Sequence, residues 1–257
     1  MDKKVFHVLV TAGDTYEAVD EVRRVTHMAT GRLGSLIADE FIRQGAEVTF
    51  LCGERSMRPA EQVRQVVEIT GVMELLAAME NLLEETAFDC IVHSMAVSDY
   101  TVSGVTTEKD LVLEIVQAIS KLDKDCGREE QSAAVEEAIK RARHMASGKI
   151  SSDLETLTVF LEIAPKVISV VKKKRPDTML VGFKLLSGVQ EDELLIAAKK
   201  QMQTSGSDFV LANDLDSIEG DGHCGMLIDH NGVIDRPTTK QEIAQSIAKH
   251  VMERLRG

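Results

Sequence analysis

The chain has 257 residues, 44% of them hydrophobic, so it can bury a sizeable core in one large domain or two small ones. Its net charge of -12 argues against a general nucleic-acid-binding protein, because such proteins neutralise phosphates with lysine and arginine. The four dispersed cysteines form no Cys-x-x-Cys pair and predict reduced thiols in a cytoplasmic protein. No apolar run is long enough to span a bilayer, so a membrane protein is not expected.

The first elements are a strand, a glycine-containing loop, a helix and a second strand. Residues 5–10 are an apolar run of strand length, residues 33–41 have helical periodicity, and residues 47–51 again indicate a strand. Gly31 and Gly34 stand where the helix begins, and a helix N-terminus favours an anion. The alternative is that both glycines only let the helix pack closely on the sheet.

The rest of the chain continues this alternation. Further strands are predicted at 66–69, 89–93, 156–163, 179–183, 208–212, 225–229 and 233–235. Further helices are predicted at 72–83, 165–171, 191–202 and 239–255. The alternation predicts an α/β fold with a Rossmann-like, doubly wound, mainly parallel sheet. Asn231-Gly232 predicts an antiparallel C-terminal hairpin.

The segment 101–149 departs from this regular pattern. It is charged and weakly periodic, although residues 111–119 and 133–145 could form helices. We interpret the chain as a single domain over 1–257 with an insertion at about 101–149. That insertion could be a lid, a dimer contact or a solvated excursion.

Several residues and loops fall at or just beyond the carboxyl ends of predicted strands. Open α/β sheets place their ligands at these ends, so the residues can converge on one rim. They are Gly13, the loop 30–34, the segment 96–99, Phe183 and Asn213.

In this order, these segments resemble the phosphopantothenate–cysteine ligase (phosphopantothenoylcysteine synthetase) family, in its stand-alone bacterial form. The matching segments are Thr11-Ala12-Gly13-Asp14-Thr15, Thr30-Gly31-Arg32-Leu33-Gly34, Ala96-Val97-Ser98-Asp99-Tyr100, Lys149-Ile150, Gly182-Phe183 and Ala212-Asn213-Asp214, with Asp20, Val22 and Arg23 continuing the first. Each is weak alone, but six in the family order are specific.

The resemblance implies a ligase of coenzyme A biosynthesis. A 4'-phosphopantothenate carboxylate would attack the α-phosphate of CTP (or ATP), forming an acyl-nucleotide and pyrophosphate. The amine of cysteine would then attack the acyl carbon and expel the nucleoside monophosphate. Mg²⁺ would accompany the phosphates, with no side chain assigned as its ligand. The family also implies a homodimer.

The resemblance also assigns roles to residues. Those expected to bind nucleotide are Gly13, Thr30, Gly31, Gly34, Phe183, Asn213 and Lys200, while Ala96 and Asp99 would contact phosphopantothenate or border it. Lys149 would neutralise phosphate charge. His27 stands where the family has an asparagine expected to donate to the acyl oxygen, and Met28-Ala29 replaces a polar pair. Near Lys199 and Lys200, Thr204 and Ser205 replace a second family lysine.

Two other functions remain open from the sequence. A nicotinamide-dependent reductase is suggested by the Rossmann-like opening and by Glu54, placed where a ribose-binding acid is expected, although a compact Gly-x-Gly-x-x-Gly is missing. A non-catalytic nucleotide-binding relative is suggested by His27.

Overall fold

The computed structural model describes residues 4–145, 148–151, 154–220 and 222–257. These residues form two compact units. The first unit comprises Met1–Thr15, His27–Val97 and Lys166–Gly257, and the second comprises Tyr16–Thr26 and Ser98–Pro165. The single domain with an insertion at 101–149 stays a prediction, and residues 146 and 147 of that segment lie outside the described residues.

The elements are numbered in chain order. The strands are β1 (His7–Ala12), β2 (Tyr16–Ala18), β3 (Arg24–Thr26), β4 (Glu47–Gly53), β5 (Gln65–Ile69), β6 (Cys90–His93), β7 (Tyr100–Thr106), β8 (Thr158–Ile163), β9 (Met179–Leu186), β10 (Phe209–Glu219), β11 (Gly222–Asp229) and β12 (Gly232–Asp235). The helices are α1 (Arg32–Arg43), α2 (Val72–Glu85), α3 (Glu108–Ser120), α4 (Arg128–Ala142), α5 (Ile168–Lys174), α6 (Glu191–Ser205) and α7 (Lys240–Arg256).

The first unit is built on a sheet with the strand order β12-β11-β10-β9-β6-β1-β4-β5. Pairing is parallel from β10 to β5, and β11 and β12 add an antiparallel edge. If the six parallel strands are renumbered 1 to 6 in chain order, their order in the sheet, starting from β5, is the Rossmann order 3-2-1-4-5-6. This confirms the predicted mainly parallel sheet and its C-terminal hairpin. The order reverses between β1 and β6, which are hydrogen-bonded neighbours.

Helices cover both faces of this sheet. Phe41 of α1 and Ile247 of α7 share one apolar cluster with Leu211 of β10, and all three are fully buried or nearly so. The adjacent Val210 instead packs with Ala198 of α6. Because successive side chains of a strand point to opposite faces, α6 lies on the face opposite α1 and α7. α5 contacts both α6 and α2 on that second face.

The second unit contains two small antiparallel pairs and a helix pair. β2 pairs with β3, β7 pairs with β8, and α3 packs against α4. The strand predicted at 156–163 is present as β8, but β2, β3 and β7 were not predicted. β2 and β3 have 3 residues each, which is too short to show an alternating pattern. β7 carries Gly104, which weakens its strand signal.

Two expectations from composition concern cysteines and membranes. Cys52 and Cys90 are buried and all four cysteines are free, whereas Cys126 is partly exposed and Cys224 exposed. Among the helices in the described part of the chain, none combines the length and the apolar character that crossing a membrane requires.

Candidate functional site

The switch point of the sheet brings Gly13 and Ala96 together. The chain continues past the ends of β1 and β6, where the Ala96 N–H donates to the Gly13 carbonyl at 2.8 Å. The Thr15 N–H in turn donates to the Ala96 carbonyl at 3.1 Å. Open α/β sheets bind ligands in the crevice beyond such a reversal of strand order. The structure therefore places one residue predicted to bind nucleotide beside one predicted to bind phosphopantothenate.

A buried polar network lies directly beneath this crossing. Thr11 Oγ1 accepts from the Met95 N–H at 3.2 Å and lies 3.0 Å from His93 Nδ1. Ser94 Oγ donates to the Thr11 carbonyl at 2.5 Å. Burial lowers the pKa of His93 to about 4, so its imidazole is neutral and Nδ1 can accept the threonine hydroxyl. This network fixes the chain leading to Ala96 and was not predicted from the sequence.

The N-terminus of α1 is the second part of the site. Its N-cap is Gly31, with φ 75°, which provides no side-chain capping bond, and the first turn contains no acidic residue. The first N–H groups of a helix have no acceptor within that helix. Together with the helix dipole, they favour an anion at this point. The Arg32 N–H donates to Thr30 Oγ1 at 3.4 Å, and the phosphate-binding role of the loop 30–34 stays a prediction.

The loop before α1 is tied to the chain that follows β4. The Met57 N–H donates to the Thr30 carbonyl at 2.9 Å, and Ser35 Oγ lies 2.6 Å from the Met57 carbonyl oxygen. Thr30 itself is exposed. These bonds hold the segment leading into α1 against a second loop at the same edge of the sheet.

The three glycines of this site lie in places too closely packed for a side chain. A Cβ at Gly13 would lie 1.7 Å from Ser56 Oγ, and one at Gly31 would lie 2.9 Å from Ser56 Cβ and 3.1 Å from the Gly13 nitrogen. A Cβ at Gly34 would lie 2.5 Å from that of Ala12. Close packing therefore explains why these positions are glycine. The same packing brings the backbone of Gly13 close to that of Gly31, while the anion-binding interpretation of the glycines stays a prediction.

Phe183 and Asn213 lie on neighbouring strands of the same sheet. Phe183 of β9 is partly buried, packs against the main apolar core, and is in register with Leu211 of β10. Asn213 is 5% exposed and pairs with Leu185. The geometry gives Phe183 a core role and leaves its nucleotide contact a prediction.

Asp214, the last residue of the Ala-Asn-Asp segment, has a definite structural task. Its carboxylate accepts from the N–H groups of Gly188, Val189 and Asp216. These hydrogen bonds hold the pKa of Asp214 below its usual value, and the bond from the Asp216 N–H has the largest effect. The ionised side chain therefore joins the loop after β9 to the extension of β10.

Two further predicted residues of the first unit are on the surface. His27 and Lys200 are both exposed, as is Lys199. The carbonyl of Lys200 accepts from the Thr204 hydroxyl within α6. The roles assigned to His27 and Lys200 stay predictions.

Asp99 and Lys149 belong to the second unit. Both side chains are exposed. The Asp99 carbonyl accepts from the Ala164 N–H at 2.9 Å, which continues the β7–β8 pairing by one step. Lys149 precedes Ile150, whose N–H donates to the buried carboxylate of Asp20 at 3.1 Å. Asp20 was identified from the sequence as part of a matching segment, but its bond to the Ile150 N–H was not predicted.

A metal site made of side chains is not found in the part of the chain that the structure describes. Those residues contain no group of three or more His, Cys, Asp or Glu that could hold an ion. Mg²⁺ usually binds substrate phosphates together with one or two carboxylates, rather than an all-protein cage. The involvement of Mg²⁺ therefore stays a prediction.

Comparison with known proteins finds a family match over nearly the whole chain. A family model described as "DNA/pantothenate metabolism flavoprotein C-terminal domain" matches residues 4–113 and 114–255. The Coenzyme A biosynthesis bifunctional protein CoaBC of Thermococcus kodakarensis is 31% identical over 249 residues, covering 96% of this chain and 51% of that protein. The chain spans about half the length of the curated relatives it matches.

Solved structures show the same fold. The crystal structure of the DNA/Pantothenate Metabolism Flavoprotein from Streptococcus pneumoniae has a TM-score of 0.80 and 34% identity, covering 97% of this chain and 100% of that one. A Cab2 mutant in complex with phosphopantothenate-cysteine has a TM-score of 0.65 and 17% identity, covering 98% and 86% respectively. The second likeness concerns the fold alone.

Proposed function

Because the chain belongs to the family of the DNA/pantothenate metabolism flavoprotein C-terminal domain, we propose that it is a phosphopantothenate–cysteine ligase of coenzyme A biosynthesis. The name of the Thermococcus kodakarensis relative supports the pathway. The observation that carries the proposal is the meeting of Gly13, Ala96 and the N-terminus of α1, whose N-cap Gly31 has no side chain, at one end of the sheet.

The proposed reaction has two steps. The carboxylate oxygen of 4'-phosphopantothenate attacks the α-phosphorus of a nucleoside triphosphate, and the bond to pyrophosphate breaks. The amine of cysteine then attacks the acyl carbon of the acyl-nucleotide, releasing the nucleoside monophosphate and a proton. Both steps develop negative charge on oxygen, so they require fixed N–H donors and cations.

The backbone around the switch point supplies such donors. In the proposal, the N–H groups of Gly13 and of the turn from Gly31 to Gly34 face the phosphates. Lys149 and Lys200 provide positive charge, and a Mg²⁺ ion accompanying the nucleotide would supply further positive charge to its phosphates.

The remaining roles concern recognition. Phe183 and Asn213 contact the nucleotide, while Ala96 and Asp99 contact phosphopantothenate or border its site. The backbone of Ala96 is held in place for such a contact, because both its N–H and its carbonyl are hydrogen-bonded. His27 donates to the acyl oxygen in place of the family asparagine. Histidine is bulkier than asparagine but can also donate a hydrogen bond.

One assay tests the ligase directly. The protein is incubated with 4'-phosphopantothenate, cysteine, Mg²⁺ and either CTP or ATP, and pyrophosphate and nucleoside monophosphate are measured separately. We expect CTP to be used, with pyrophosphate release requiring 4'-phosphopantothenate. Omission of cysteine should stop monophosphate release after the acyl-nucleotide has formed. Absence of turnover with both nucleotides would contradict the proposal.

His27→Ala tests the amide-forming step. Loss of one donor to a developing oxyanion costs on the order of 10²–10³ in rate, so monophosphate release should fall far more than pyrophosphate release. His230→Ala is the matched control, because His230 is also an exposed histidine of the first unit. His27→Asn should keep or raise activity. Equal losses in both steps would contradict the role of His27.

His27 also favours a second candidate, a nucleotide-binding relative without catalysis. Calorimetric binding of CTP by a preparation without turnover would support it. A nicotinamide-dependent reductase is less well supported, since the relatives named above belong to coenzyme A biosynthesis or pantothenate metabolism. Thermal stabilisation by NADPH but not by CTP would favour the reductase.

The homodimer is part of the same proposal. It rests on the family resemblance and on the segment 101–149. Sedimentation equilibrium at micromolar concentration should give twice the chain mass. A monomer under these conditions would refute the dimer without affecting the ligase assay.

A further inference from the structure

Asp20 is a buried carboxylate that the proposed reaction does not use. It lies in the turn between β2 and β3, and its side chain is 0% exposed. Burying a charge is costly unless hydrogen bonds replace the lost water. Here the N–H groups of Val22 and Arg23 donate to Oδ1 at 2.8 Å and 2.6 Å, and Arg23 Nη1 donates to Oδ2 at 2.5 Å.

The fourth donor comes from a distant part of the second unit. The Ile150 N–H donates to Asp20 Oδ2 at 3.1 Å across 130 residues of chain. Arg23 Nη1 also donates to the Ile150 carbonyl at 3.3 Å. Both backbone polar groups of Ile150 are therefore held by this one acid–base pair.

The planarity of the peptide bond extends this restraint to Lys149. The Ile150 N–H lies in the same plane as the Lys149 carbonyl and Cα, so fixing the N–H direction fixes that plane. The exposed Lys149 side chain then projects from a restrained backbone. A lysine meant to meet a phosphate loses less entropy on binding when its backbone is already oriented.

An ionised acid suits this position better than an amide. Burial alone would raise the pKa of Asp20, but the N–H donors of Arg23, Val22 and Ile150 and the Arg23 guanidinium outweigh it and hold the pKa at about 2. An asparagine would present an NH₂ group to some of these donors, and two donors cannot pair.

We propose that Asp20 is a positioning residue that, with Arg23, orients Lys149 through the backbone of Ile150. The inference rests on the proposed function for the role of Lys149, but the restraint itself is a property of the second unit alone. Asp20 is not expected to touch a substrate.

The first readout needs no activity. Amide exchange of Ile150 is followed by NMR in the ligand-free protein for the wild type, Asp20→Asn and the control Asp125→Asn, which removes an exposed acid of the same unit. Because Asp20→Asn loses a charge-assisted hydrogen bond, we expect its Ile150 amide to exchange at least about tenfold faster than in the wild type. Asp125→Asn should exchange at the wild-type rate. Unchanged exchange would overturn the proposal, even if the protein is an active ligase.

The second readout separates positioning from general stability. We expect Asp20→Asn to lower kcat by about 10- to 100-fold with little change in KM for cysteine. In a Lys149→Gln background, Asp20→Asn should cause little further loss, because both changes remove the same function. If the double variant instead loses the product of the two single effects, Asp20 does not act through Lys149 and the proposal fails.

Two controls keep the outcomes distinct. If Asp20→Asn does not fold, Arg23→Lys keeps the charge but removes the planar fork, and it should speed Ile150 exchange in the same way. A wild type without turnover would refute the proposed function, while Ile150 exchange would still decide whether the restraint exists.

Discussion

Replacing Gly13 by alanine tests the packing at the switch point most directly. The residue has φ 81°, a left-handed backbone that costs a non-glycine residue about 1–2 kcal/mol. The new Cβ would also lie 1.7 Å from Ser56 Oγ and 2.9 Å from Ser56 Cβ. Relief of such an overlap costs typically about 1–3 kcal/mol. The two contributions predict a loss of about 2–5 kcal/mol in the free energy of unfolding.

Gly45 provides the matched control. It has φ 89°, and nothing lies within 4 Å of an added Cβ. Gly45→Ala should therefore show the backbone cost alone, about 1–2 kcal/mol. Ser56→Gly removes the obstructing atoms, and the next neighbour of the new Cβ, the Gly53 nitrogen, is at an ordinary 3.6 Å. In that background Gly13→Ala should cost no more than Gly45→Ala.

The assay is urea unfolding at 25 °C, followed by far-UV circular dichroism, on the two glycine variants, Ser56→Gly and the double variant. The coupling between Gly13→Ala and Ser56→Gly should be about 1–3 kcal/mol. The reasoning is refuted if Gly13→Ala costs no more than Gly45→Ala in the parent chain. It is also refuted if Ser56→Gly leaves the cost unchanged.

Three further changes have expected outcomes. Phe41→Ala, at a fully buried position of α1, should lower the free energy of urea unfolding by about 3–5 kcal/mol, and a loss under 1 kcal/mol would contradict its place in the core. Thr239 caps α7 by accepting from the Glu242 N–H, so Thr239→Ala should cost about 1 kcal/mol in the same assay, whereas Thr204→Ala should be nearly neutral. Because the folded pKa of His93 is lowered to about 4, stability should fall as pH drops from 6.5 towards 4, by about 2 kcal/mol at pH 5. His223, whose pKa is lowered in the same direction, contributes equally to the wild type and to His93→Gln, so an identical pH dependence in the two would contradict the neutral His93.

The main sheet was predictable because its signals are local. Apolar runs followed by glycine and helical periodicity identify strand, turn and helix without knowledge of partners. The carboxyl-end rule then placed Gly13 and Ala96 on the same edge, and the structure joins them by hydrogen bonds.

The features that were missed depend on long-range contacts. Ser56 is an ordinary loop serine in the sequence, yet it occupies the space that a Gly13 side chain would need. His93 and Thr11 are 82 residues apart, and only the pairing of their strands brings them together. β7 pairs with β8, which is more than 50 residues away, and no local pattern in the sequence identifies that pairing. Side chains that act across such distances leave no periodic signal.

The interleaving of the two units along the chain has a consequence for how this protein can be dissected. The backbone passes from one unit to the other after residues 15, 26, 97 and 165. A single cut therefore releases neither unit as a continuous fragment, and folding must assemble distant segments, which slows it. Gly13, His27 and Ala96 lie within two residues of the passages after residues 15, 26 and 97, respectively. Truncation or domain exchange would interrupt the covalent path through the proposed site, so point substitutions are the appropriate tools for this chain.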